Sequence, residues 1–249
     1  MEILIGHFSY LEILLSISVP VAIISAIPIF SSKRRYLPLF ISILVVAPFY
    51  IIWDELAVIY GTWSFNEKMV IGIYFFRIPI EEVLFFIVVP FSTLLIYEGL
   101  DINIFTKRAG SWITVPVILA ATFFAIFGLI NLDHSYTSIA SFFVSGALIL
   151  SALCDVDLIR EFRTWAFIII SFIPFIIFDH ILVSLPVFTY GKGAIIGIRI
   201  FQIPIEEYFY VFSLLLLYLL FYDLSNKWIL TVDEAGRRQT SSRRRQYNA

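Results

Sequence analysis

The pentapeptide Ile78-Pro79-Ile80-Glu81-Glu82 recurs as Ile203-Pro204-Ile205-Glu206-Glu207, 125 residues further along the chain. Both copies lie inside long apolar runs, so four carboxyl groups stand where the sequence otherwise consists of hydrocarbon. The same spacing relates residues well outside the motif, among them Asp54 and Asp179. Similarity at one fixed spacing over many positions indicates an internal duplication.

The composition predicts a membrane protein. Hydrophobic residues make up 60% of the 249 residues, charged residues make up 14%, and the mean hydropathy is +0.94. A water-soluble domain of this size cannot bury so much apolar surface in one core. The single cysteine, Cys154, excludes an intrachain disulfide and a cysteine cluster for a metal. We expect neither a metal centre nor a nucleic-acid partner.

Seven apolar segments are long enough to span a bilayer as helices, which takes about 20 residues. They are Ile3–Phe30, Leu37–Tyr60, Val70–Tyr97, Trp112–Ile130, Thr137–Cys154, Thr164–Leu185 and Ala194–Tyr222. Lipid requires the backbone groups of each segment to be satisfied internally, and alternating strand patterns are absent, so we predict an all-α fold. No cationic stretch precedes the first segment, which favours a retained helix over a cleaved signal peptide.

The duplication divides these helices into two repeats, helices 1–3 and helices 5–7, joined by helix 4. The predicted parts are 1–98 for the first repeat, 99–136 for the connector with helix 4, 137–222 for the second repeat, and 223–249 for a basic, disordered cytoplasmic tail. Four crossings separate matched helices, so both repeats have the same orientation and a pseudo-twofold axis runs along the membrane normal. Such an axis would bring the two motifs to one central cavity.

The lysine and arginine residues predict the orientation. One side of the predicted topology holds only Lys68 and Lys192. The opposite side holds Lys33, Arg34, Arg35, Lys107, Arg108, Arg160, Arg163, Lys227, Arg237, Arg238, Arg243, Arg244 and Arg245. Because cations are enriched in cytoplasmic loops, we predict a multi-pass protein of the cell membrane with its N-terminus outside and its C-terminus in the cytoplasm.

The motif carboxyls lie deep in the predicted third and seventh helices. If helix 3 begins at Val70, Glu81 lies about 16 Å along it at ~1.5 Å per residue, near the midplane. A charge there costs about 3 kcal/mol, so these carboxyls are functional candidates, although a role in bridging helices is an alternative. Arg77 has the spacing for an ion pair with Glu81, and Arg199 lies two turns before Glu206. These unequal surroundings favour one acid and one base.

Two aspartates and several aromatic residues are further candidates. Asp54 and Asp179 lie about two turns from the outer ends of helices 2 and 6, where they could support the glutamates, conduct protons, or be polar groups at a wet interface. Aromatic faces near the motifs could stabilise a carbocation, although packing is an alternative role. The aromatic candidates are Tyr74, Phe76, Phe201 and Tyr210. No lysine lies inside a predicted helix, which excludes a retinal Schiff base.

The doubled Pro-x-Glu-Glu motif in a short polytopic chain resembles the fused form of the membrane-embedded lycopene cyclase family, over about residues 1–225. The resemblance implies an isomerase or intramolecular lyase that closes the linear ends of lycopene into β-ionone rings without a cofactor. It also implies catalytic roles for Glu81, Glu82, Glu206 and Glu207. One carboxyl would protonate the terminal double bond, and another would remove a proton after ring closure.

Several alternatives stay open at this point. The product could carry one or two rings of the β or ε type, and the substrate could be lycopene, a related linear carotenoid or a C50 carotenoid. A proton-coupled transporter or channel could use the paired glutamates as a relay, and a non-catalytic scaffold could bind carotenoid. The expected partners are the carotenoid and the lipid bilayer, with other carotenoid-pathway enzymes or a second copy of the chain as further candidates.

Overall fold

The structure is a computed structural model that describes residues 9–26, 35–100 and 107–247. Helices dominate the described residues. In chain order they are α1 Ser9–Ala26, α2 Tyr36–Ile59, α3 Ile80–Gly99, α4 Thr114–Ile130, α5 Ser135–Cys154, α6 Val156–Arg160, α7 Phe162–Ser184 and α8 Ile205–Tyr247. A 3-10 turn over Ser111–Ile113 leads into α4.

Six helices within the described ranges are long and apolar enough to cross a membrane: α2, α3, α4 with its leading turn, α5, α7 and the first part of α8. Their outward faces carry large apolar side chains, such as Leu44 (73% exposed) and Ile130 (75% exposed). Lipid is the environment that covers apolar surface of this extent on helices whose backbone groups are already satisfied. The chain is therefore a multi-pass membrane protein.

The first predicted span is only partly described. Helix α1 contains a shorter apolar stretch, Tyr10–Pro20. The predicted ends of this span, Ile3 and Phe30, lie outside the described residues, as do Lys33 and Arg34, two of the cations that predict the orientation. The seventh crossing therefore stays a prediction.

Helices α3 and α8 begin later than the hydropathy predicts, at Ile80 and Ile205 instead of Val70 and Ala194. A short antiparallel hairpin precedes each of them. The first pairs β2 Tyr74–Phe75 with β3 Ile78–Pro79, and the second pairs β5 Arg199–Ile200 with β6 Ile203–Pro204. The predicted continuous helices are wrong here because a residue before proline favours an extended backbone, and proline has no N–H to donate inside a helix.

A third pair of strands joins the two loops that carry these hairpins. Strand β1 Trp63–Phe65 follows α2, strand β4 Phe188–Tyr190 follows α7, and the two pair antiparallel. Ser64 faces Thr189 at the centre of the pair, where their hydroxyl oxygens are 3.1 Å apart. We call the end of the helix bundle that carries these strands the loop face.

The core of the bundle is built around α8. Leu214 and Tyr218 on this helix are fully buried. The hydroxyl of Ser42 on α2 donates to the carbonyl of Tyr218 (2.6 Å), and the hydroxyl of Tyr218 donates to the carbonyl of Phe86 on α3 (2.8 Å). These bonds satisfy polar groups that would otherwise be stranded in an apolar core, and they connect α2, α3 and α8.

Helix α8 continues to Tyr247, so the segment after Tyr222 that the sequence predicts as disordered is helical as far as it is described. The extension includes Lys227, which forms ion pairs with Asp155 (2.5 Å) and Asp223 (2.7 Å). The prediction that no helix contains a lysine is therefore wrong, because it placed the end of the last helix too early. Lys227 lies about 33 Å from the start of α8, far from the loop face.

Candidate active site

Both motifs mark the first turn of a helix at the loop face. Pro79 caps the start of α3 with an extended backbone (φ −65°, ψ 150°), and Glu81 and Glu82 follow in the first turn. The second motif begins α8 in the same way, after Pro204. Glu81 thus lies about 2 Å along its helix at ~1.5 Å per residue, and the predicted distance of 16 Å from the helix start is wrong. Free N–H groups and the helix dipole favour carboxylates at this position.

The first glutamate of each motif turns back toward the segment that leads into its hairpin. The backbone N–H of Ile71 donates to Glu81 Oε1 (2.7 Å), and the N–H of Ile196 donates to Glu206 Oε1 (2.9 Å). The hydroxyl of Thr137 on α5 also donates to Glu206 Oε1 (2.5 Å). Glu81 and Glu206 are completely buried. Through these hydrogen bonds, each glutamate connects the start of its helix to the loop segment ten residues earlier.

The second glutamate of each motif faces one shared cavity of about 50 Å³. The hydroxyl of Tyr10 donates to Glu82 Oε2 (2.7 Å), and that of Tyr190 donates to Glu207 Oε1 (2.8 Å). Tyr136 also lies beside the carboxyl of Glu207. The two motifs therefore meet at a single site through Glu82 and Glu207, each of which has a phenol as its hydrogen-bond partner.

The aspartates that the sequence pairs with the motifs line the same cavity. The hydroxyl of Tyr210 donates to Asp54 Oδ1 (2.8 Å). Asp179 Oδ2 is buried and has no hydrogen-bond partner among the described residues. The residue 125 positions before Tyr210 is Phe85, which has no hydroxyl to offer Asp179. The two halves of the site thus differ in how they hold their aspartate.

Tyr190 is a permanent hydrogen-bond donor in this site. Burial raises the pKa of its hydroxyl, and the neighbouring Glu207 and Asp179 carboxyls raise it further. The phenol is therefore protonated at neutral pH. It holds the Glu207 side chain in place from β4, a strand of the loop face.

Aromatic rings form most of the remaining wall. Phe85 and Phe178 stack with ring centres 5.8 Å apart, and Tyr136 and Tyr190 stack at 6.0 Å. Besides Phe85, Phe178 and Tyr136, the aromatic residues that line the cavity are Tyr10, Trp63, Phe65, Phe175, Phe188 and Tyr210. Their faces can attract a cation, and their bulk limits the water that reaches the carboxyls.

The structure places three of the four aromatic candidates away from this wall. Tyr210 lines the cavity. Tyr74 is 42% exposed in the first hairpin, and Phe76 (77%) and Phe201 (68%) occupy the hairpin tips. Phe76 and Phe201 have positive φ angles of 56° and 51°, an uncommon conformation that turns the chain between the two short strands.

Arg77 and Arg199 are exposed on the hairpins and do not line the cavity. The backbone N–H of Arg77 donates to Glu55 Oε2 (2.9 Å), whereas the guanidinium of Arg199 donates to the carbonyl of Gln202 (2.7 Å). The predicted ion pair between Arg77 and Glu81 is not formed, because the i,i+4 spacing brings side chains together only within a continuous helix. Among the described residues, no lysine or arginine lines the cavity.

Sequence patterns do not single out Tyr10, Tyr136 and Tyr190. The backbone N–H of Tyr10 donates to the carbonyl of Met69 (3.0 Å), and that of Tyr136 donates to the carbonyl of Ala194 (2.9 Å). The two carbonyls are 125 residues apart, but the two tyrosines are 126 apart. An alignment shifted by one residue in the first helix of each half would have paired these tyrosines.

The arrangement suits proton transfer to and from an apolar molecule. Four carboxyl groups open onto one cavity with largely aromatic walls and phenol donors. Neighbouring carboxyls in one buried site differ in how readily they ionise, so one can be protonated while another is ionised. The protonated group can act as an acid and the ionised group as a base. Acid and base groups within reach of one substrate are sufficient for a cyclisation that involves no redox step.

A family model described as lycopene cyclase matches residues 8–100 and 133–225. Each matched segment contains one Pro-x-Glu-Glu motif and one cavity aspartate. The two segments together cover most of the chain, and the match confirms the resemblance based on the motifs. No curated protein and no solved structure matches the chain.

Proposed function

Because the chain belongs to the lycopene cyclase family, we propose that it is a membrane enzyme that closes the linear ends of lycopene into β-ionone rings. Its family already implies carotenoid cyclisation. The proposal of this particular reaction rests on one observation: the carboxyls of Glu82, Glu207, Asp54 and Asp179 line the same cavity, among aromatic rings. These residues supply acid and base groups in a setting that an apolar polyene can enter.

The proposed reaction moves one proton in and one proton out for each ring. A protonated carboxyl gives its proton to the terminal double bond, which leaves a tertiary carbocation. A neighbouring double bond attacks this cation with its π electrons, so one carbon–carbon bond forms and the positive charge moves to the other carbon of the attacking double bond. A carboxylate then removes a proton from the adjacent carbon and restores a double bond. The electron count is unchanged, so the chemistry needs acid and base groups but no oxidant or reductant.

We assign the proton transfers to Glu82 and Glu207 and a positioning role to Glu81 and Glu206. The second glutamates face the cavity, whereas the first ones accept hydrogen bonds from the loops before the hairpins. Asp179, whose Oδ2 has no hydrogen-bond partner among the described residues, is the further candidate for direct proton transfer. Asp54 is held by a tyrosine and is assigned a supporting role.

We also propose that the chain is a parallel duplication with seven crossings and a pseudo-twofold axis through the loop face. The strand pair β1/β4 supports this axis, because the residues at its centre, Ser64 and Thr189, occupy equivalent positions in the two halves. A twofold axis exchanges the two strands of an antiparallel pair. The two residues paired at the centre must therefore occupy equivalent positions in the two repeats, as Ser64 and Thr189 do. The hairpins support it as well, because Ile80 donates to Ile73 and Ile205 donates to Ile198 through the same backbone bond.

The proposed orientation places the loop face outside the cell. In the structure the loop face carries Arg77 and Arg199 in addition to Lys68 and Lys192. The opposite end of the bundle still holds the larger share of the cations, including Arg108, Arg160, Arg163 and Lys227. The arginine-rich C-terminal part of α8 comes after Lys227 in the chain. The positive-inside rule therefore still favours a cytoplasmic C-terminus.

Expression in a bacterium that accumulates lycopene tests the function. Chromatography of the extracted pigments should reveal a monocyclic or bicyclic product, and the Glu82→Gln and Glu207→Gln variants should reduce it at equal membrane insertion. Unchanged lycopene with well-inserted wild-type protein would refute the proposal for this substrate. Proton flux into proteoliposomes without any carotenoid would favour a transporter instead, and conversion of a C50 carotenoid alone would redirect the substrate assignment.

A further inference from the structure

A second cavity, of about 130 Å³, adjoins the carboxyl cavity on one side. The two share four lining residues: Phe85 on α3, Phe175 and Phe178 on α7, and Val211 on α8. The stacked rings of Phe85 and Phe178 thus stand at the junction between the carboxyls and a groove that continues between α3 and α7. From Phe85 to Ile96, the groove follows α3 for about 16 Å at ~1.5 Å per residue.

Small residues make this groove possible. Ser92 and Thr93 on α3 and Ser171 on α7 line it. The hydroxyls of Ser92 and Thr93 donate to the carbonyls one turn earlier on their own helix (2.7 and 2.9 Å), so they need no partner from a bound molecule. Pro174, also in the lining, is exposed, which opens the groove toward lipid. The groove is therefore mostly apolar and accessible from the bilayer, and the Ser171 hydroxyl is the lining group without a hydrogen-bond partner in the described residues.

The equivalent place in the other half, between α2 and α8, is filled by larger side chains. At positions 125 residues away, Ser92 corresponds to Leu217, Thr93 to Tyr218 and Ser171 to Val46, while Phe175 corresponds to Tyr50 and Phe85 to Tyr210. Tyr50 and Tyr218 are completely buried. The hydroxyl of Tyr50 lies 2.8 Å from that of Ser213, and the hydroxyl of Tyr218 donates to the carbonyl of Phe86. The positions that line the α3–α7 groove are thus occupied by larger, buried side chains between α2 and α8.

We propose that the groove between α3 and α7 receives the polyene chain of the substrate, so that a linear end enters the carboxyl cavity past Phe85 and Phe178. This inference rests on the proposed cyclase function and adds where the long apolar part of the substrate lies. Entry through this groove means that the two ends of a symmetric carotenoid are processed one after the other, with release between the two closures. The larger apolar cavity between α4, α5, α7 and α8, of about 590 Å³, shares no lining residue with the carboxyl cavity.

The test fills the groove with larger side chains, and one of the two variants introduces the tyrosine found at the equivalent position of the other half. Thr93→Tyr places a phenol where lycopene should lie, and Ser171→Leu narrows the groove from the opposite helix. Thr122→Tyr is the matched control, because Thr122 has the same hydroxyl bond to the preceding turn (2.9 Å) but faces outward from α4. The readouts are the initial rate of lycopene conversion in membranes, the lycopene retained by purified protein, and the thermal stability in detergent.

We expect Thr93→Tyr and Ser171→Leu to lower both the conversion rate and the retained lycopene at least tenfold, and Thr122→Tyr to leave both within twofold. If Thr93→Tyr is unstable in detergent, the conversion rate and the retained lycopene of Ser171→Leu test the inference instead. A stable groove variant that converts lycopene at the wild-type rate would overturn the inference, as would one that loses the rate but retains the pigment. Failure of the wild-type protein to convert lycopene would instead refute the proposed function, so the two failures are distinguishable.

Discussion

The replacement Glu81→Gln separates a positioning glutamate from a catalytic one. Glu81 Oε1 accepts the backbone N–H of Ile71, and the glutamine carbonyl can keep this bond. Its NH2 group, however, must occupy the place of Glu81 Oε2, which is buried and has no hydrogen-bond partner in the described residues. An unsatisfied buried donor costs about 1–3 kcal/mol. For a chain of this size that loss lowers the melting temperature by about 2–12 °C.

The expected phenotype is therefore lower stability with activity retained. In detergent, Glu81→Gln should melt several degrees below wild type, yet membranes assayed well below that temperature should still cyclise lycopene at a rate within about tenfold. Glu82→Gln should show the opposite pattern. Its melting temperature should change little, and its rate should fall by about 10²–10⁴, the contribution typical of a general acid or base.

Glu206→Gln provides the matched comparison in the second half. Its Oε1 accepts the bonds from Ile196 and Thr137, which the glutamine carbonyl can keep, and its Oε2 is likewise buried without a hydrogen-bond partner in the described residues, so its replacement should lower the melting temperature by a similar amount. A Glu81→Gln protein with unchanged melting temperature and no cyclase activity would refute the assignment of the first glutamates to positioning.

Two further predictions concern the site and its hairpins. Tyr190→Phe removes the phenol that donates to Glu207 (2.8 Å), and the loss of about 1.5 kcal/mol should lower the cyclisation rate about tenfold without changing membrane insertion. Gly72→Ala and Gly197→Ala should each cost about 1–2 kcal/mol in thermal unfolding, because their φ angles of +81° and +86° strain any residue with a Cβ. An added Cβ meets no atom of the described residues within 4 Å at either position, and Gly146→Ala, in a helix with the same open space, should not destabilise. Equal effects at all three glycines would contradict the strain argument.

Most of the helical architecture follows from the sequence, because lipid leaves few options for long apolar segments. The error at 70–79 and 194–204 has a physical cause. A hydropathy window cannot distinguish an apolar hairpin from an apolar helix, since both are rich in Ile, Phe and Val. Pro79 and Pro204 indicate where the two helices begin, because proline is typical of the start of a helix and favours an extended backbone at the residue before it.

The chemistry of the site was easier to predict than its geometry. Duplicated carboxyls in apolar surroundings are conspicuous in a sequence, and the structure brings Asp54 and Asp179 to the cavity of Glu82 and Glu207. Which glutamate of each pair faces the cavity depends on where the helix begins, so no pattern could distinguish them once the start was misplaced. Tyr190 reaches the site from a strand, and that contact depends on long-range pairing that a sequence window does not detect.

The mass of the product formed in D2O tests the central claim most directly. Membranes that contain the wild-type enzyme are equilibrated in D2O, supplied with lycopene, and the cyclic carotenoid is analysed by mass spectrometry. Buried carboxyls that exchange with solvent should deliver one deuterium for each ring closed, while the base removes a carbon-bound hydrogen. The product should therefore be heavier by one mass unit per ring. A cyclic product without deuterium would contradict proton donation from a solvent-exchanged carboxyl.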